Sequence, residues 1–243
     1  DWLQFRGSTI DGVARESVAI PAGDSPLAWE KDLPGRGLAS PIVVGEQVIV
    51  TASSGPHDDR LHVLSFAAPS GSLEWHRQFW GTGQSAHHPK TSVAAPTPAS
   101  DGERIFAFYS TNDVVCLDLQ GNLLWYRGLT YDYPNASNTL GMSSSPLVIE
   151  GTLVCMLETD ADSFAIGLDA LTGQTRWKIE RPRAANWTSP VLMTTAEGES
   201  QVLLQGSKGV VAVDPVSGEE QWRYDDGAST IPSSVVAGSG ARR

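Results

Sequence analysis

Apolar residues fall in short runs along this chain, often alternating with polar ones, and each run is closed by Gly, Pro or Asp. Four segments share one layout of Pro, apolar strand, Gly turn and second apolar strand. They are SPIVVGEQVIVT from Ser40, TPASDGERIFAFY from Thr97, SPLVIEGTLVCML from Ser145 and SPVLMTTAEGESQVLLQ from Ser189. Gly45, Gly102, Gly151 and Gly198 supply the turns, so each segment predicts a β-hairpin. A third apolar run then ends in a turn: LHVLSFAAPSG, VVCLDLQG, AIGLDALTG and VVAVDPVSG. A last strand follows, carrying Trp four residues after the Gly: Gly71 to Trp75, Gly121 to Trp125, Gly173 to Trp177 and Gly218 to Trp222.

The tryptophans are 50, 52 and 45 residues apart, the length of one four-stranded propeller blade. With almost nothing at helical spacing, the chain reads as all-β, a radial array of four-stranded antiparallel blades. Asp118, Asp169 and Asp214 occupy three of the four turns, where a carboxylate can accept backbone N–H groups and reverse the chain. The first repeat has Ala67 at that place, which predicts the loosest turn of the four. A Trp can bury about 150–250 Å² and needs one partner for its N–H, so a repeated Trp beside a repeated turn suits docking between blades.

Composition narrows the partners. Lys and Arg number 17 against 28 Asp and Glu, a formal charge of −11, which opposes binding to nucleic acid or an anionic membrane. No apolar run approaches a membrane span, and 40% hydrophobic content is too high for disorder. The first residue is Asp1, with no initiator Met and no leader composition, so Asp1 is not expected to be a translational start. Cys116 and Cys155 sit inside apolar runs of different repeats and read as buried thiols, with a disulfide as the alternative.

The pattern Ala/Gly-x-Asp-x-x-x-Gly-x-x-x-Trp, intact from Gly167 to Trp177 and from Ala212 to Trp222, resembles the pyrroloquinoline-quinone (PQQ)-type propeller repeat. The opening DWLQFRGSTIDGVARES is similar to the start of secreted bacterial PQQ-like propeller proteins. The likeness implies a propeller in which Trp75, Trp125, Trp177 and Trp222 form a girdle, each against its neighbour's turn, with Asp118, Asp169 and Asp214 shaping those turns. Full repeats are expected at about 38–80, 92–129, 143–181 and 187–225, within one domain spanning 1–243. Part-blades are expected at 25–33, around Trp29, and at 230–240. Four full and two part units are the content of an incomplete seven- or eight-bladed ring, expected to be a fragment prone to self-association. A small closed ring of four or five blades is the alternative.

Propellers bind at the ends of their central channel, which directs attention to the segments before the Pro landmarks. WGTGQSAHHPKTS holds His87, His88 and Lys90, either ordinary loop residues or ligands. YDYPNASNTLGMSS holds Tyr131, Asp132, Tyr133 and Asn135, a Pro-containing turn or an aromatic platform for sugar or peptide. RAANWTSP places Asn186 and Trp187 before an inner strand, out of the girdle register. SGPHDDRLH, with His57, Asp58, Asp59 and His62, reads as an acidic hairpin tip, with a metal cluster as the sharper alternative.

Three functions of different class follow. The first is a non-catalytic extracytoplasmic scaffold, periplasmic or secreted, that binds a protein or glycan and needs no cofactor. It resembles the outer-membrane assembly lipoprotein built on the same repeat. The second is a quinoprotein alcohol or sugar dehydrogenase with PQQ and calcium, which the resemblance allows. That family carries adjacent cysteines and a Glu/Asn/Asp calcium set, and the chain has no Cys-Cys pair. The third is the sensor domain of a larger signalling protein.

Overall fold

Middle strands that read as unbroken apolar runs need partners on both faces, and stacked sheets provide them. The computed structural model describes residues 1–9, 11–14, 27–136 and 140–236. These form four four-stranded antiparallel sheets, each a meander of consecutive strands. The first blade comprises β1 (Ile42–Val44), β2 (Gln47–Ser54), β3 (Arg60–Ala67) and β4 (Leu73–Trp80). The second comprises β5 (Ala99–Ser100), β6 (Arg104–Phe108), β7 (Asp113–Asp118) and β8 (Leu123–Gly128). The third holds β9 (Leu147–Ile149), β10 (Thr152–Leu157), β11 (Phe164–Asp169) and β12 (Thr175–Glu180), and the fourth β13 (Val191–Thr194), β14 (Ser200–Gly206), β15 (Gly209–Val213) and β16 (Glu220–Tyr224). The one helix among the described residues is a single turn, α1 (Leu129–Asp132).

The period of two along each middle strand divides its side chains between two neighbours. Ile105 and Ala107 of β6 pack with Leu61 and Val63 of the first blade. Phe106 and Phe108, one residue out of phase, pack with Leu153, Cys155 and Ile166 of the third. Val154 and Met156 of β10 in turn meet Val202 and Leu204 of the fourth. Both cysteines are buried and unpaired, and burial pushes the Cys116 thiol up to about 12.

Each blade bulges at the same place, just before its third turn, after Ser65, Cys116, Gly167 and Ala212. These small residues sit opposite Trp75, Trp125, Trp177 and Trp222. The need is steric: a Cβ added at Gly167 would stand 2.2 Å from Trp177 Cε2. At Gly167 the position is therefore held by glycine so that the facing indole can lie over it.

The indoles then bridge blades. Nε1 donates to a carbonyl of the following blade's third turn in Trp75 (Leu119, 2.9 Å), Trp125 (Ala170, 3.0 Å) and Trp177 (Pro215, 2.9 Å). Trp29 does the same to Ala68 at 2.7 Å, so the residue ahead of the first blade holds a girdle position although residues 27–33 form no strand. Trp222 differs: it is 38% exposed and donates within its own blade to Gln201 Oε1 at 2.8 Å. Beyond it, residues 230–236 likewise form no strand, and the rest of the 230–240 segment, like residues 25–26, lies outside the described residues.

The turns follow the expected chemistry where Asp is present. Asp169 Oδ1 accepts from the N–H groups of Leu171 and Thr172, Asp214 Oδ1 from Val216 and Ser217, and Asp118 Oδ1 from Gln120 and Asn122. The first turn is not looser in its backbone, contrary to the expectation from Ala67. Gly71 N–H reaches the Ala67 carbonyl at 2.7 Å, the same length as Gly173 to Asp169. Ser70 Oγ takes over part of the carboxylate's work by accepting from Ser72 N–H.

Candidate functional site

The inner strands all start on one side of the sheets, and the Ser/Thr-Pro pairs that mark them in sequence meet there around the channel. Pro lacks an N–H, so the residue before it carries the last free donor ahead of the strand. That donor goes to the next blade's hydroxyl: Ser40 N to Thr97 Oγ1 (3.2 Å), Thr97 N to Ser145 Oγ (3.0 Å), Ser145 N to Ser189 Oγ (2.9 Å) and Ser189 N to Ser233 Oγ (2.9 Å). The bonds run head to tail around the mouth, and Ser233 occupies the ring position of the 230–240 segment.

A cavity of about 300 Å³ opens inside this ring, lined by the five ring residues together with Arg6, Trp187 and Ser143. Arg6 arrives from the N-terminal segment, which crosses the inner edges of the first two blades. Trp2 pairs with Val43, and the Leu3 carbonyl accepts from Ser100 N–H. Arg6 itself has φ 64° and sends Nη1 to the Ser234 carbonyl at 2.6 Å, tying the first residues of the chain to the last described ones.

A second depression, about 420 Å³, lies between the loop after β4 and the segment around α1. Its floor is fixed by Asp113, which is fully buried and accepts from Thr82 N (2.8 Å), Thr82 Oγ1 (2.6 Å) and Tyr126 OH (2.7 Å). Gly83 lets the loop lie down, since a Cβ there would sit 2.1 Å from the Thr111 carbonyl oxygen. Tyr131 lines this groove and stands 79% exposed above it. Tyr131 and Asp132 belong to the helical turn α1, Asp132 pairs with Arg127, and the expected Pro-containing turn follows at once, closed by Ala136 N–H on the Tyr133 carbonyl at 3.1 Å. Tyr133 faces the other way, packing on Phe164 at 4.6 Å between centroids. Asn135 is exposed.

His87 is half-buried, with Nδ1 on the Ser85 carbonyl (2.9 Å) and Nε2 3.8 Å from Asp58 Oδ2. Its Cβ packs on Gly141, whose carbonyl accepts from Trp187 Nε1 at 2.9 Å, so His87 and Trp187 are linked between groove and channel. His88 and Lys90 are exposed on the same loop, and His88 N–H holds the Leu140 carbonyl.

Asn186 is not on the channel face. It is buried with Glu158 and Arg181: Arg181 Nε meets Glu158 Oε1 at 2.6 Å, and Asn186 Nδ2 donates to Glu158 Oε2 (2.9 Å) and the Gln205 carbonyl (2.7 Å). Burial raises the Glu158 carboxyl above its ordinary range, with Arg181 opposing the rise. The SGPHDDRLH histidines also separate. His57 is exposed at the tip, whereas His62 is buried, with Nε2 2.7 Å from Ser54 Oγ and Nδ1 2.9 Å from His76 Nε2. Among the described residues no three His, Cys, Asp or Glu side chains converge as a metal would require.

Sequence reading missed Arg6, Asp113, Glu158 and the hydroxyl ring. The Ser/Thr-Pro landmarks were the signal for the ring: their hydroxyls recur at the blade period. A calcium-held quinone needs carboxylate oxygens for its ion. Among the described residues the channel mouth offers hydroxyls and one guanidinium instead, so these side chains do not fit that group.

Comparison with solved structures gives the same architecture. BamB from Moraxella catarrhalis superposes with a TM-score of 0.51 at 22% identity, over 81% of this chain and 54% of that one. Quinohemoprotein alcohol dehydrogenase from Comamonas testosteroni gives 0.59 at 16% identity, over 79% and 35%. A europium-containing methanol dehydrogenase gives 0.53 at 14%, over 77% and 41%. At these identities the likeness concerns fold alone, and the chain spans about half the length of the matched BamB. No curated protein sequence matches the chain. The family model described as outer membrane protein assembly factor BamB matches residues 10–161 and 141–236, and on that match the chain belongs to this PQQ-like propeller family.

Proposed function

We propose that the chain is a non-catalytic, extracytoplasmic scaffold that holds a protein partner on the loop face of its blades. One observation carries this reading: Tyr131 stands 79% exposed over a groove whose floor is pinned to the buried carboxylate of Asp113. A rigid aromatic side chain on a preformed concave surface is the usual anchor of a protein interface, because it buries area at low entropic cost. His87 and Trp187 extend the same surface to the channel mouth. The family's description as an assembly factor supports a protein over a glycan. No helix among the described residues is long and apolar enough to cross a membrane.

The test places a photo-crosslinking amino acid at Tyr131 in cells of the source organism, with Val216 on an outer turn as control. The scaffold reading expects one envelope protein joined from 131 and not from 216, and the same protein lost from a pull-down when Tyr131 becomes Ala. Equal labelling from both positions contradicts it. Dye reduction with an alcohol after adding PQQ and calcium would replace it by the enzyme reading.

A further inference from the structure

We propose that the channel mouth is an oxyanion site, taking a carboxylate or phosphate group between Arg6 and the hydroxyls of Thr97, Ser145 and Ser189. Thr97, Ser145 and Ser189 are 3%, 3% and 4% exposed, and all three line the cavity. Each hydroxyl oxygen already accepts a backbone N–H from the preceding blade. A hydroxyl carries one donor of its own beside its acceptor sites, and among the described residues none of these three donors meets an acceptor. Buried hydroxyl donors are normally satisfied, so three that meet no acceptor among the described residues, and that line one cavity, are free to bond a group placed in it.

The charge of the lining selects what that group is. Arg6 is its charged residue, and no carboxylate or histidine joins it among the described lining residues. Arg6 uses Nη1 on the Ser234 carbonyl at 2.6 Å and makes only long contacts, 3.4 and 3.5 Å, to the Ser233 carbonyl. A guanidinium has five N–H donors in a fork, so donors remain for a ligand. Convergent O–H and N–H donors with one positive charge suit a group rich in lone pairs and negative charge. A cation is opposed by Arg6, and a sugar would bring its own donors to a site already supplied with them. The site stands apart from the scaffold reading and survives the loss of that reading.

The test is titration of the purified protein with sodium phosphate, sodium malonate and sodium chloride at matched ionic strength, read by thermal melting and by the amide ¹⁵N–¹H shifts of Thr97, Ser145 and Ser189. Expected is a saturable rise in melting temperature with phosphate or malonate but not chloride, with these three amides moving together. A phosphate-only response assigns a phosphate ligand, and a malonate-only response a carboxylate such as an acidic peptide supplies. Arg6→Gln and Ser189→Ala should each weaken the apparent affinity at least tenfold. Responses equal to chloride, or saturation unchanged in a folded Arg6→Gln or Ser189→Ala protein, overturn the site. If either variant fails to fold, the wild-type amide shifts decide: movement only at other positions rejects it.

Discussion

The indole N–H of Trp125 donates to the carbonyl of Ala170 across the gap between the second and third blades, at 3.0 Å. The ring also covers Gly173, where φ is +71° and an added Cβ would lie 2.7 Å from Trp125 Cε3. Two residues on, Arg127 Nη1 holds the Gly173 carbonyl at 2.6 Å, and Arg77 treats Gly121 in the same way one blade earlier. One short strand thus clamps the turn of its neighbour through both an aromatic face and a cation. Trp125→Ala or Trp177→Ala should cost about 3–5 kcal/mol, measured by urea unfolding. Trp222→Ala, whose indole stays on its own blade, should cost far less.

Glycine substitutions separate backbone strain from docking. Gly45 and Gly173 both have positive φ, but a Cβ at Gly45 meets nothing within 4 Å. Gly45→Ala should cost about 1–2 kcal/mol from the left-handed backbone alone. Gly173→Ala carries that cost and displaces Trp125 as well. Equal melting temperatures for the two variants would show that the indole does not bear on the turn.

The buried Glu158 carboxylate is held by both Arg181 and Asn186, between the third and fourth blades. Arg181→Ala leaves an unpaired buried carboxyl and should destabilise by about 3–5 kcal/mol. The double variant Glu158→Gln, Arg181→Ala should lose less than the sum of the single changes, by at least about 1 kcal/mol. Additive losses in a double-mutant cycle would argue against the shared network.

Acid should weaken the fold in two stages. Burial, His76 and Arg60 lower His62 from 6.5 to about 4, so the unfolded chain binds its proton first and stability falls as pH drops through that interval. Arg176 and Thr172 hold Asp169 down to about 2 from 3.8, and its contribution, present above 3.8, is lost between those values. His62→Gln should flatten the first stage of a stability–pH curve and leave the second. An unchanged first stage would assign it to other groups.

The blades were legible because their signal is local and repeated: a Gly turn and a Trp four residues after a Gly in all four units, with a turn acid in three of them. The direction of docking could be stated in general, but not that Trp29 would join the girdle without a strand or that Trp222 would turn back to Gln201. Those outcomes depend on which turn lies next in space. The site was legible only in outline. His87, Tyr131 and Trp187 lie on the loop face, whereas Asn186 looks exposed in sequence and is claimed by Glu158, 28 residues away. Arg6 and Asp113 act across blades, a relationship that spacing along the chain does not encode.

Hydrogen exchange of the indole Nε1–H groups, followed by NMR, tests most directly whether each Trp is bonded to the blade ahead. Slow exchange is predicted for Trp75, Trp125 and Trp177, with Trp222 fastest of the four and Trp177 accelerated when Pro215 and its turn are replaced by a flexible Gly-Ser loop. Uniformly fast exchange, or protection of Trp177 that survives loss of that turn, would contradict stapling from blade to blade.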